Sequence, residues 1–243
     1  MFWLIRNWGL MLVIASSTFS LRAQSDTQLW LDFQTSYPFA NRYLLENTAS
    51  YQTLLSQEGK WRNISISPTF EYSLFRKLDF LSEIPLGYTN QQEGTSSFEI
   101  SPMIGARFYV TQNRRFETRL VWRHQTRAFR QIEANDWDIS NRTRLRAELF
   151  LCLNGPNLSS DNLWSAFLHL EEFFVYDQQV DERYANRRRG QTGLGYRLNY
   201  KHRFEVSFTL QSSRNELEGE FISTDNVIQA KYKLYFNQAT PVN

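Results

Sequence analysis

Three arginines recur at every second position of the segment Asn141 to Leu153, NRTRLRAELFLCL. Arg142, Arg144 and Arg146 occupy one set of alternate positions, and leucine or alanine fills most of the other set. Alternate side chains of a β-strand point to opposite faces, so a strand would gather the arginines in one charged row. The leucines also recur at a spacing of four, as on one face of a helix, so this segment alone leaves both structures open.

Such a row can bind carboxylates or other anionic groups, because arginine presents a planar fork of donors that pairs with a carboxylate through two hydrogen bonds. If the surrounding segments are strands, ten arginines and seven glutamates share the same face of the sheet. They are Arg107, Arg119, Arg123, Arg127, Arg142, Arg144, Arg146, Arg187, Arg189, Arg197, Glu71, Glu83, Glu99, Glu117, Glu148, Glu171 and Glu205. The pattern predicts either a network of ion pairs that fills and stiffens a lumen, or a basic constriction that selects small anionic solutes.

A second candidate for chemistry is the pair His169 and Glu171 in LHLEEFF. In a strand both residues share a face with Ser165, and a histidine held by a carboxylate can activate a serine as a general base. Ser165 and His169 would be about 13 Å apart along the strand, so the nucleophile would have to come from a neighbouring strand. The alternative is a histidine that only forms hydrogen bonds in the lumen.

The sequence contains no metal-ligand spacing, phosphate-binding glycine loop or nucleophile elbow, so we expect neither a metal nor a cofactor. Gly193 and Gly195 in GQTGLGY alternate on one face, which indicates close packing beside bulky arginines rather than nucleotide binding. The formal net charge of +2 on 243 residues gives no reason to expect a nucleic acid partner.

The first 23 residues have the features of a secretory signal peptide. Arg6 precedes an apolar run, and small or polar residues lead to a predicted cleavage after Ala23, so that the mature chain is residues 24–243. A membrane anchor is the alternative, although the apolar run is shorter than the roughly 20 residues that span a bilayer. Cys152 is the only cysteine, and secretion without disulfides favours a bacterial envelope protein.

Alternation of apolar and polar residues recurs along the mature chain, as in WRNISISPTFEYSLF (61–75) and HRFEVSFTLQ (202–211). About eleven such runs lie at 28–36, 42–54, 61–75, 77–89, 97–110, 115–128, 137–153, 164–177, 187–200, 202–213 and 226–237. Because bacterial single-chain barrels normally have an even number of strands, we expect either ten, with QLWLDFQTS outside the wall, or twelve.

The lengths of these runs and of their connections predict an all-β antiparallel transmembrane β-barrel of 10–12 strands. The runs are longer than the usual strand of a soluble sheet, and tight joints such as 75–77, 111–114 and 200–202 alternate with longer loops at about 89–97, 128–137, 177–187 and 212–226. In this fold the leucines of 141–153 face lipid and the arginines face the lumen. The alternative is a soluble β-sandwich or lipocalin-like barrel, whose apolar face points inward.

Aromatic residues near the run ends fit the interfacial girdles of such a barrel. They are Trp61, Phe75, Tyr88, Trp122, Trp137, Trp164, Tyr176 and Tyr200. The row Arg187, Arg188 and Arg189 could form a surface patch for lipopolysaccharide at the outer rim.

The chain resembles the uncharacterised outer-membrane β-barrel proteins of Gram-negative bacteria that are catalogued as a domain of unknown function. The resemblance lies in the leader ending in Ala-Gln, in LWLDF (29–33), in NRTRLR (141–146) and in NRRRGQTGLGY (186–196) before a final aromatic strand. It covers most of the mature chain and implies the fold and an outer-membrane location, but no activity.

We therefore expect an integral outer-membrane barrel in contact with lipid, acting as a structural barrel with a charge-filled lumen or as a narrow porin-like channel for small anionic solutes. The alternative is a lipid-modifying acyl hydrolase that uses His169 and Glu171. The sequence leaves the oligomeric state open.

Overall fold

The computed structural model describes residues 26–55, 61–91, 96–132, 137–176, 186–213 and 222–237. The thirteen β-strands found there are β1 (Asp26–Phe39), β2 (Tyr43–Leu54), β3 (Trp61–Phe75), β4 (Leu78–Glu83), β5 (Leu86–Gln91), β6 (Ser96–Ile100), β7 (Met103–Gln112), β8 (Phe116–Gln131), β9 (Trp137–Cys152), β10 (Leu163–Val175), β11 (Asn186–Arg197), β12 (His202–Ser213) and β13 (Ile222–Tyr235). The described residues contain no helix long and apolar enough to cross a membrane. The predicted signal peptide lies outside these ranges.

Two of the wall strands are each broken once. β3 pairs with both β4 and β5, and β8 pairs with both β6 and β7, so β4–β5 and β6–β7 are halves of two continuous wall strands. The breaks lie at Pro85 and Pro102, which have no N–H to donate to the ladder. Hydrogen bonds from Ile84 N to Pro68 O and from Ser101 N to Pro85 O keep the neighbouring strands joined there.

Counted in this way, the described residues form a closed wall of eleven strands. Neighbours are antiparallel throughout, except that β1 pairs with β13 in parallel and closes the barrel. The expectation of an even strand number is therefore wrong, and the run QLWLDFQTS belongs to the wall. With an odd number the first and last strands run in the same direction, so the closing pair must be parallel.

The wall is apolar outside and polar inside, as the alternation predicted. Outward side chains with 38–63% of their surface exposed include Leu31, Phe33, Ile64, Ile66, Phe70, Ile104, Phe108, Leu120, Leu145, Leu168, Leu170, Phe174, Leu194, Phe204, Val206, Leu210, Ile139 and Ile228. Inward buried side chains are mostly polar, among them Gln28, Glu71, Glu148, Glu171 and Gln211. Both the soluble barrel with an apolar interior and the helical interpretation of 141–153 are wrong, because this segment forms most of β9 with Leu145 outside.

The connections differ in length between the two ends of the barrel. At one end, the turn end, residues 40–42, 76–77, 113–115 and 198–201 form short links, and residues 153–162 form a longer one. The predicted long loops lie at the other end, the loop end, and fall largely outside the described residues. Of the aromatic residues predicted for interfacial girdles, Trp61 is buried and Tyr200 is half-buried. The other six, Phe75, Tyr88, Trp122, Trp137, Trp164 and Tyr176, are exposed, although Trp122 lies within β8 rather than near its end.

Candidate functional site: the luminal cavity

The barrel encloses a cavity of about 1200 Å³ that reaches the turn end at residues 38–43. Nine basic side chains and eight acidic ones line it: Arg42, Arg107, Arg119, Arg123, Arg144, Arg146, Arg189, Lys231, Lys233, Asp32, Glu46, Glu71, Asp79, Glu83, Glu148, Glu171 and Glu205. The two signs are unevenly distributed. Five of the acidic residues come from β1 to β4, whereas six of the arginines come from β7, β8, β9 and β11.

Arg107 is the most completely neutralised arginine of this cavity. Its Nη1 and Nη2 donate to the two carboxylate oxygens of Glu71 at 2.7 and 2.9 Å, and Asp79 lies 3.5 Å away. The Tyr109 hydroxyl donates to the same Asp79 oxygen, Oδ2, at 2.7 Å. These contacts form the bidentate pair that the sequence predicted for the lumen, in largely buried surroundings.

Several predicted luminal residues lie nearer the loop end and do not line the cavity. Arg127 donates from Nε and Nη2 to Glu99 at 2.8 and 2.7 Å, and Ser101 also donates to Glu99. Arg142 donates to Gln125 at 2.8 Å. We call these five side chains the loop-end layer. They come from the neighbouring strands β6, β8 and β9 and from the break between β6 and β7, and they lie beyond the cavity.

Arg123 and Arg144 face each other across β8 and β9 and have few acidic contacts. The carboxylate closest to Arg123 among the described residues is Glu83, at 4.0 Å, and that closest to Arg144 is Glu171, at 3.9 Å. Both distances exceed a normal hydrogen bond. Nη2 of Arg144 instead contacts the sulfur of Met103 at 2.7 Å.

Two further arginines share one carboxylate. Arg146 lies 2.7 Å from Glu148, and Arg119 lies 3.5 Å from the other oxygen of Glu148. Arg119 also pairs with Glu117 on its own strand. The sequence predicted all four residues as luminal, and the structure brings them together.

Two more of the predicted residues have partners that the sequence did not single out. Glu205 lies 2.6 Å from Lys233 of β13, and Arg197 lies 3.6 Å from Asp161 in the β9–β10 connection. Glu205 lines the cavity, whereas Arg197 does not.

His169 and Glu171 both face the lumen, but they do not act on each other. Glu171 lies 3.9 Å from Arg144 and 3.6 Å from Arg189, while His169 Nδ1 lies 3.0 Å from the side-chain oxygen of Gln191. No serine hydroxyl is hydrogen-bonded to His169 in the part of the chain that the structure describes. The geometry is that of a histidine held in a luminal hydrogen-bond network.

This network continues across the parallel seam. Gln191 donates to Gln229 at 2.8 Å, and Gln229 donates to Asp32 of β1 at 2.6 Å. Asp32 also accepts from Ser50 at 2.6 Å and lies 3.3 Å from Lys231. Sequence reasoning did not single out these residues, although the alternation in IQAKYKLYF already placed Lys231 opposite the apolar face.

Glycines make room for bulky luminal side chains. A Cβ on Gly105 would lie 2.9 Å from Cγ of Arg123, its partner across the strands. A Cβ on Gly193 would lie 2.5 Å from the ring of Phe167. The prediction of close packing at Gly193 is confirmed, but the neighbour is an aromatic ring rather than an arginine.

Neighbouring arginines at the start of β11 point to opposite faces of the barrel wall. Arg188 is exposed and pairs with Glu172 at 2.8 Å, whereas Arg189 points inward and donates to Gln211 at 2.6 and 2.9 Å. The side chain of Arg187 is outside the described part. A surface patch made of all three is therefore wrong, because adjacent strand residues point to opposite faces. Contact of lipopolysaccharide with Arg188 stays a prediction.

Within the described ranges, no three His, Cys, Asp or Glu side chains are grouped so that they could hold a metal ion.

No protein-family model matches the chain. No curated protein matches it either. Among solved structures, the chain is similar to one described as "NanC porin structure in rhombohedral crystal form", with 12% sequence identity and a TM-score of 0.43. The similarity covers 73% of this chain and 78% of that one.

Proposed function

We propose that this chain is an integral β-barrel of a Gram-negative outer membrane whose lumen admits small anionic solutes, in the manner of a narrow porin. The observation that carries the proposal is the arginine-rich side of the luminal cavity, since rings of arginine favour anions in pores. The apolar exterior supports a lipid environment, because hydrocarbon tolerates a spanning sheet only when it is closed. The signal peptide predicted from the sequence of residues 1–23 supports export from the cytoplasm.

Planar-bilayer recording of the full mature chain tests this function. Under a gradient of potassium chloride, we expect single-channel steps whose reversal potential has the sign of chloride passage. Heat-denatured protein in the same detergent is the control and should give no steps. A folded barrel whose reversal potential has the sign of potassium passage would contradict the proposal.

A second candidate is a structural barrel with a filled lumen, and the loop-end layer favours it. Arg127 and Gln125 are almost fully buried there, and they lie beyond the end of the cavity. A folded, membrane-inserted barrel that gives no conductance would support this function instead of solute passage.

A further inference from the structure

We infer that Arg123, Arg144 and Arg146 form a binding site for a single oxyanionic group, a phosphate, sulfate or carboxylate, on the wall of the luminal cavity. We call these three residues the arginine cluster. The inference deepens the proposed function, because it assigns a position to the anionic solute within the same lumen.

The first reason is the placement of like charges. Arg123 and Arg144 are directly opposite each other in the β8–β9 register, and Arg146 follows two residues later on the same face. Like charges directly opposite each other destabilise a sheet. All three side chains line the cavity, and 13–22% of each is exposed. A bound anion would offset this repulsion.

The second reason is the number of donors left over. Each guanidinium carries five N–H donors. Arg144 contacts Met103 and Arg146 contacts Glu148, and Nε of each is buried without a hydrogen-bond partner within the described ranges. Nε of Arg107 is also unpartnered, but both of its terminal nitrogens donate to Glu71. Arg123 is 4.0 Å from Glu83, too far for a hydrogen bond. Buried donors normally have partners, so the cluster has capacity for an acceptor.

The third reason is that the neighbouring carboxylates are already shared. Glu171 lies between Arg144 and Arg189, and Glu148 lies between Arg146 and Arg119. The cluster thus differs from Arg107, which faces both Glu71 and Asp79. Positive charge is in excess at the cluster, whereas negative charge is in excess around Arg107.

The wall is also shaped to hold Arg123 in place. Arg123 lies across Gly105, where any Cβ would come within 2.5 Å of the carbonyl oxygen of Trp122 and 2.9 Å of Arg123 Cγ. A side chain at position 105 would therefore strain the pairing of β7 with β8 at Arg123, so glycine there lets the arginine lie close against the wall.

Titration of the folded, full mature chain in detergent with inorganic phosphate tests the inference, with sulfate, acetate and chloride compared at equal ionic strength. We expect saturable binding of phosphate, sulfate or acetate above that of chloride, and the comparison shows which group is preferred. Arg123→Gln and Arg144→Gln should each weaken that binding at least tenfold. Arg123→Lys should weaken it less than Arg123→Gln, because the charge remains and only the fork of donors is lost.

Arg188→Gln is the matched control, because it removes an exposed arginine outside the lumen, and it should bind as the unaltered chain does. Unchanged affinity in folded Arg123→Gln, or an oxyanion affinity no higher than that of chloride in the unaltered chain, would overturn the inference. If Arg144→Gln does not fold, the oxyanion affinities of Arg123→Gln and Arg123→Lys still test the inference. Anion-selective conductance without oxyanion binding would overturn the site alone, whereas binding without conductance would overturn solute passage alone.

Discussion

At the scale of single residues, Arg107 and Glu71 show how the wall tolerates buried charge. The pair is bidentate and is completed by Asp79. Removing one partner of a buried pair leaves an uncompensated charge, which costs about 3–5 kcal/mol. We predict that Arg107→Ala lowers the free energy of unfolding by about that amount, and by more than Glu71→Gln, because it leaves two acidic groups without their cation.

Urea unfolding of the folded barrel in lipid vesicles measures this effect. The double variant Arg107→Ala, Glu71→Ala should recover part of the loss, since the two residues are coupled. Arg188→Ala at the exposed Glu172 pair is the control and should leave the midpoint nearly unchanged. Equal effects of Arg107→Ala and Arg188→Ala would argue against a structural role for the buried pair.

The alternation predicted the face of many charged residues but not their partners. Alternation alone placed Arg107, Glu71 and Glu148 on the luminal side, because the side-chain period of a strand is two. Partners depend on register between strands, which a local pattern does not specify. Spacing along one strand therefore suggests that His169 pairs with Glu171, whereas its partner in the structure is Gln191 of β11.

At the scale of elements, Asp32 links side chains across the parallel seam between β1 and β13. Its carboxylate accepts from Ser50 and Gln229 and lies 3.3 Å from Lys231, so it joins three strands. We predict that Asp32→Ala lowers the temperature at which the barrel opens, measured by the loss of its compact form on a detergent gel after graded heating. The physical reason is the loss of two hydrogen bonds and an ion pair at the closing pair of strands.

Ser50→Ala is the matched control, because it removes only one hydrogen bond to the same carboxylate. Its effect should be clearly smaller than that of Asp32→Ala. If the two variants open at the same temperature, the side-chain network does not hold the seam.

Element boundaries were largely predictable, whereas the two strand breaks were not. The runs 61–75 and 202–213 match β3 and β12 as predicted. At Pro85 and Pro102 the apolar alternation continues through the proline, so the pattern indicates one strand. The break comes from the missing N–H, which removes a ladder hydrogen bond without changing the hydropathy pattern.

At the scale of the whole molecule, the alternation indicated eleven runs, and the expectation of ten or twelve strands came from the general rule that barrels have an even number. The alternation in QLWLDFQTS identified a strand, but whether its neighbour is parallel or antiparallel depends on the last strand, nearly 200 residues later. The pairing of Leu31 with Ala230 and of Phe33 with Tyr232 keeps apolar side chains together on the outer face across the seam. The apolar outer face of the wall is therefore continuous across the seam.

The measurement that tests the account most directly is electrophoresis of the outer-membrane fraction in detergent with and without boiling. A closed barrel with an apolar exterior and a polar, ion-paired lumen should be found in that fraction and should migrate as a compact species that shifts only after boiling. Protein found soluble in the periplasm, with a mobility that boiling does not change, would contradict the assignment of the apolar face to lipid and of the arginines to the lumen.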